Sequence, residues 1–210
     1  MIEIEIAIAA SLLLAAIGPA RGATLAGVQL PDTVTVDDAP LVLNGMGLRQ
    51  ATALRVKAYV GGLYLEQRSS DPATVIDSRQ RKRVTMKFLR DIDRRNLTSH
   101  WAESLRNVGG KAMEPSITRF TSLIDDVKKG DTLSFTARPG AGVEVTLRDA
   151  VRGTVPGDEF SRALFTVWFG PKPGGREPEA RNAREVTRRA GRRLTGGPSG
   201  CSAAHRRTAA

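Results

Sequence analysis

The chain has 210 residues, of which 40% are apolar and 26% charged, ordinary material for a folded domain with a real core. Its formal charge of +10 suggests nucleic acid or a membrane surface. Most of that excess sits in 171–210, where Lys172 and nine arginines face three glutamates, so the body is only mildly basic. The one cysteine, Cys201, lies in this tail, which excludes a disulfide within the body. His100 and His205 are isolated and give no metal-ligand spacing, so neither a metal nor a cofactor is expected.

The N-terminus carries an apolar run, IAIAASLLLAAIG at 6–18, which is short for a membrane span. It reads as the core of a secretory signal covering 1–22, with small residues following. The segment before it holds Glu3 and Glu5 and no basic residue, which is atypical for a signal. A buried N-terminal helix is the alternative. Export to the periplasm or outside the cell is the expectation.

From 23 to 173 the chain reads as one domain. Short strands are expected near 26–30, 33–36 and 40–44, punctuated by PD, DDAP and NG turn signals. A long strand, 53–66, follows. It contains Arg55, Lys57 and Tyr59 at alternate positions, which would place all three on one face, and a Gly61-Gly62 pair that suggests a bulge or a close backbone approach. Asp71-Pro72 opens a short capped helix. RQRKR, 79–83, reads as a solvated loop entering a strand at 82–90. Leu97, Trp101, Leu105 and Val108 form one apolar stripe on a helix over 92–108, with Asp91 or Asp93 as its cap. Ile117, Phe120, Leu123 and Ile124 do the same over 115–126. Strands at 131–137 and 142–148 come next, then a second turn into RGTVPG. The last helix opens near Asp158 and ends at Gly170-Pro171. Strands, helices, strands and a helix in that order indicate an α+β fold, a large antiparallel sheet with helices packed on one face.

From 174 the tail has no Phe, Trp, Tyr, Ile or Met and cannot bury enough surface to fold alone. No aromatic is interleaved with its arginines for base stacking, so no nucleic-acid partner is expected; a weak contact with a membrane surface is. The chain lacks G-x-S-x-G, a P-loop, H-E-x-x-H and a Gly-rich dinucleotide loop.

Several segments, in order, carry a family resemblance: LPDTVTVDDAPLVLNGMGLR, KAYVGGLYLE, RVTMKFLRDID, DVKKGD and GTVPGDEFSRALFTVWFG. Together they resemble the bacterial chalcone isomerase-like proteins over about 27–173. The resemblance implies the chalcone isomerase-like fold, with an apolar cleft between sheet and helices. It also implies one of two roles. True isomerases, which are intramolecular lyases acting on an enone, use an arginine, a threonine on the long strand, and a tyrosine and an asparagine on a helix. Fatty-acid-binding relatives keep the arginine and put a tyrosine at the threonine position. Laid against that pattern, Arg49 matches the arginine and Tyr59 the strand position, while Leu97 and Ser104 fall where the isomerases carry tyrosine and asparagine. Arg49, Tyr59, Leu97 and Ser104 are therefore the implied ligand-binding residues, and none is assigned a catalytic role. A small amphipathic ligand such as a fatty acid is the implied partner, and isomerase activity the alternative.

Overall fold

The computed structural model describes residues 22–51 and 56–170. The basic tail, the N-terminal apolar run and Arg55 lie outside them. Nine strands and four helices are present among the described residues: β1 (Gly22–Leu25), β2 (Val28–Pro31), β3 (Thr33–Val36), β4 (Ala39–Ala51), β5 (Val56–Leu65), α1 (Pro72–Asp77), β6 (Lys82–Phe88), α2 (Arg94–Gly109), α3 (Glu114–Ser122), β7 (Thr132–Arg138), β8 (Gly142–Leu147), β9 (Ala150–Val155) and α4 (Asp158–Phe169). Strands β3 to β9 form one antiparallel sheet in sequence order, and β1 and β2 form a separate hairpin.

Local chemistry explains most of the boundaries. Asp71 caps α1 by accepting from the backbone N–H of Ala73 and Thr74, and Pro72 supplies a preset φ at the first helical position. Asp93 caps α2 by accepting from Asn96 N at 2.9 Å. Gly110 ends α2 at φ 66°, in the left-handed region. Three hairpins close through two-residue turns in which both residues have positive φ: Ala26-Gly27, Asp37-Asp38 and Arg148-Asp149. The last of these creates β9, a strand that the sequence reading left as part of a turn.

Two further expectations are corrected. The NG at Asn44-Gly45 is no turn; it lies inside β4, and Asn44 is the extra residue of a bulge between the Leu43–Tyr64 and Gly45–Leu63 pairs. Its amide exchanges two 2.9 Å bonds with the backbone N–H and carbonyl of Ser69, which ties the bulge to the loop after β5. Gly61-Gly62 holds no bulge, since the pairs Gly47–Gly61 and Met46–Gly62 are in register. Close approach is what Gly62 provides: a Cβ there would lie 2.5 Å from Leu30 Cδ1 and 3.2 Å from Leu43 Cδ1.

The two faces of the sheet bury different cores. On one face Leu63, Leu65, Val84, Met86, Phe88, Leu133, Phe135, Val143, Val145 and Leu147 pack under the helices. α4 lies over β8, α3 over β9, and α2 rests on both helices. Trp101 of α2 meets Phe120, Phe135 and Trp168 with ring centroids 5.5 to 6.3 Å apart, an aromatic knot that locks helix to sheet. On the opposite face Leu30, Leu43, Met46, Val60 and Tyr64 form a smaller core under the β1–β2 hairpin. Tyr64 is fully buried there and donates its hydroxyl to Pro31 O at 3.0 Å. The outermost strand, β9, is fastened to α3 where Arg119 Nε donates to Thr154 O at 2.6 Å.

Lys82 corrects the reading of RQRKR as a solvated loop. It is 3% exposed, and its Nζ donates to the carbonyls of Val75, Ile76 and Ser78 at 2.8 to 3.0 Å. These are carbonyls at the C-terminal end of α1, where a cation is favoured. The face of Phe165 covers the ammonium at 4.9 Å.

Candidate functional site

The long β4–β5 hairpin positions the central pair. Arg49 on β4 and Tyr59 on β5 are register partners across the ladder, so their side chains share one face of the sheet. Beyond this rung the register shifts, with Gln50 opposite Lys57, so Ala58 is an extra residue on β5. The bulge breaks the alternation that would have set Lys57 and Tyr59 on one face; Lys57 is exposed and Tyr59 half-buried.

Tyr59 belongs to the helix-covered face. It packs against the large core, and its ring meets Phe88, its register partner on β6, edge-on at 5.6 Å. Arg49 extends the same row by one strand. The row therefore runs guanidinium, phenol, phenyl across β4, β5 and β6. Arg49 is half-buried, and its Nη1 is buried outright. A planar guanidinium beside a phenol hydroxyl, backed by an apolar ring, has the form of a carboxylate anchor: a rigid two-pronged donor, one more donor, and a wall excluding water.

Leu97 and Ser104 both lie on the buried face of α2, at 7% and 4% exposure, two turns apart. The structure thus brings Arg49 and Tyr59 together as neighbours and sets Leu97 and Ser104 on the helix that covers the same side of the sheet. A leucine at the first of these positions can neither donate nor accept a proton.

Two strongly shifted groups among the described residues stand apart from this row. Burial, helped by the charge of Asp32, pushes the Tyr64 hydroxyl up to about 12. Tyr64 faces the β1–β2 hairpin, away from Tyr59. Burial pushes Lys82 down to about 8, and Lys82 stands at the opposite end of β6 from Phe88. Among the described residues no three His, Cys, Asp or Glu side chains gather into a metal-binding group.

Next to the anchor pair the sheet is bare. Gly47 and Gly61 form the neighbouring rung, and a Cβ on Gly61 would have only Tyr59 Cε2 at 3.8 Å and Gly47 O at 4.0 Å within 4 Å among the described residues. The sequence reading singled out the glycine pair but gave it no part in the site. The signal was present in the two-residue offset of Gly47 from Arg49 and of Gly61 from Tyr59.

Comparison with known proteins agrees with this architecture. No curated protein matches the chain. Among solved structures, a fatty-acid binding protein of Arabidopsis thaliana matches with a TM-score of 0.63 at 19% identity, covering 77% of this chain and 91% of that one. At that identity the likeness is one of fold. The family described as chalcone isomerase-like matches residues 22–177, which takes in every described residue, and the chain belongs to that family.

Proposed function

We propose that the protein is a non-catalytic binding protein that holds a small amphipathic carboxylate, a fatty acid, between the sheet and its helices. The observation that carries this reading is the Arg49–Tyr59 rung: two donors of carboxylate-binding type, fixed on rigid strands at the edge of an apolar core. The solved structure of similar fold is a fatty-acid binding protein, which supports the ligand class. Leu97 and Ser104 favour binding over isomerisation. They occupy the helix positions at which the resemblance puts the tyrosine and asparagine of the isomerases, and Leu97 offers no polar group.

The reading includes export, supported by the apolar run at 6–18. The basic stretch after 174 is assigned at most a weak electrostatic contact with an anionic membrane surface.

The test is native mass spectrometry of the full chain purified gently from the cells that make it, beside Arg49→Ala. A fatty acid carried by the wild type and lost from the variant supports the anchor. An empty wild type, or a ligand indifferent to Arg49, removes it.

A further inference from the structure

The rung beside the anchor has a specific shape. Gly47 and Gly61 expose bare backbone on the helix-covered face, immediately next to Arg49–Tyr59. The side chains around that gap are apolar. Tyr59 and Phe88 stand on one side, Met86 continues the bare rung on β6, and Leu63 closes the next rung, opposite Gly45. Positions that share a face are about 6.8 Å apart along a strand, so Tyr59 and Leu63 stand about 13 Å apart along β5 with one side chain missing between them.

Gly61 and its neighbour Gly62 are glycines for different reasons. A methyl on Gly62 would collide with Leu30 and Leu43, whereas a methyl on Gly61 would rest at ordinary contact distance. Nothing in the fold requires Gly61 to lack a side chain. Its φ lies outside the left-handed region, and glycine inside a strand carries an entropic cost that alanine avoids. What the missing side chain leaves is the room of a methyl group beside the ring of Tyr59, with Cε2 3.8 Å from where that methyl would sit, next to the rung that carries the anchor.

We propose that Gly61 is the specificity-determining position of the site: the rung it shares with Gly47 takes the first methylenes of a straight-chain carboxylate, and a side chain at 61 obstructs them in proportion to its size. This rests on the fatty-acid-binding reading above and adds the path of the chain to it. The ligands favoured are unbranched near the carboxyl group, because only one side chain is missing from the face there, with Tyr59 before it on β5 and Met86 beside it on β6.

The experiment uses the full chain with lauric acid as the probe, measured by isothermal titration calorimetry on wild type, Gly61→Ala, Gly61→Val and Arg49→Ala, each with a thermal melt. The expected result is a loss of affinity of about tenfold for Gly61→Ala and a greater loss for Gly61→Val, with melting temperatures no lower than wild type for Gly61→Ala. A Gly61→Ala protein that melts normally and binds lauric acid as wild type does overturns the proposal, while the loss in Arg49→Ala keeps the anchor standing. Wild-type protein that ignores lauric acid, octanoic acid and palmitic acid alike overturns both. Should 2-methyl-branched lauric acid bind wild type as tightly as the straight chain, the specificity assigned to Gly61 also falls.

Discussion

Arg49 and Tyr59 are facing partners on one rung of the β4–β5 ladder, held there by a bulge at Ala58 that resets the register just beyond them. Neither residue needs a loop to reach the other, so the spacing of their donors is set by the sheet itself. Removing the charged donor should weaken lauric acid binding by about 10- to 100-fold in Arg49→Ala, because hydrogen bonds to charged groups contribute about 1.5–3 kcal/mol. Tyr59→Phe keeps the ring against Phe88 and loses only a neutral donor, so a weakening of about fivefold is expected. Calorimetry on the two variants and their double mutant checks the pair. Strictly additive losses would show that the two side chains do not share one ligand group.

Tyr64 should reveal itself in an alkaline titration. The chain has two tyrosines, Tyr59 and Tyr64, and Tyr64 is held up at about 12. Tyrosinate absorbance near 295 nm should therefore retain one late step, absent from Tyr64→Phe. The sign for stability follows from the raised value. Tyr64 contributes fully below the unfolded value of about 10 and loses that contribution as pH rises through 12. Tyr64→Phe also strips the partner from Pro31 O, which should cost about 1 kcal/mol in urea unfolding at pH 7.

Lys82 acts in the other direction. Its folded value of about 8 lies below the unfolded one of 10.5, so the unfolded chain binds more protons between those pH values. Raising the pH from 8 toward 10 should therefore increase stability, a trend that Tyr64 reverses above 10. Urea unfolding at one-unit pH intervals should show the rise in wild type and not in Lys82→Met. A flat wild-type profile over that range would contradict the buried-ammonium account.

Gly62→Ala tests the packing of the hairpin on the sheet. Its methyl must displace Leu30 and Leu43 in a closed core, at a cost of about 1–3 kcal/mol. A fall of several degrees in the thermal midpoint is expected, with lauric acid affinity retained, because the clash is on the face away from Arg49. An unchanged midpoint would mean the hairpin gives way at no cost.

The helices were legible because their signals are local. The Leu97–Trp101–Leu105 part of the stripe and the carboxylate caps Asp71 and Asp93 need no knowledge of the rest of the chain, whereas Val108, expected on the same stripe, is exposed in the last turn of α2. β9 was not legible, since Arg148-Asp149 is a poor turn signature by composition yet adopts the left-handed backbone that a two-residue hairpin demands. Asn44-Gly45 misled in the opposite sense: a strong turn dipeptide became a bulge because Asn44 found the Ser69 backbone instead. The Arg49–Tyr59 rung depends on the Ala58 bulge, which has no sequence signature, so only the family resemblance pointed to it. Lys82 could not be distinguished from its basic neighbours by sequence, because its burial depends on three carbonyls that α1 presents only when folded.

The bond from Arg119 to the Thr154 carbonyl has a consequence beyond holding a helix in place. β9 is the last strand of an open seven-stranded sheet, and such a rim is a template on which another chain can add a strand. Occupying one of its carbonyls with a side chain from α3 denies that site to a newcomer. Less of that rim is then open to strand addition than the six residues of β9 would offer bare.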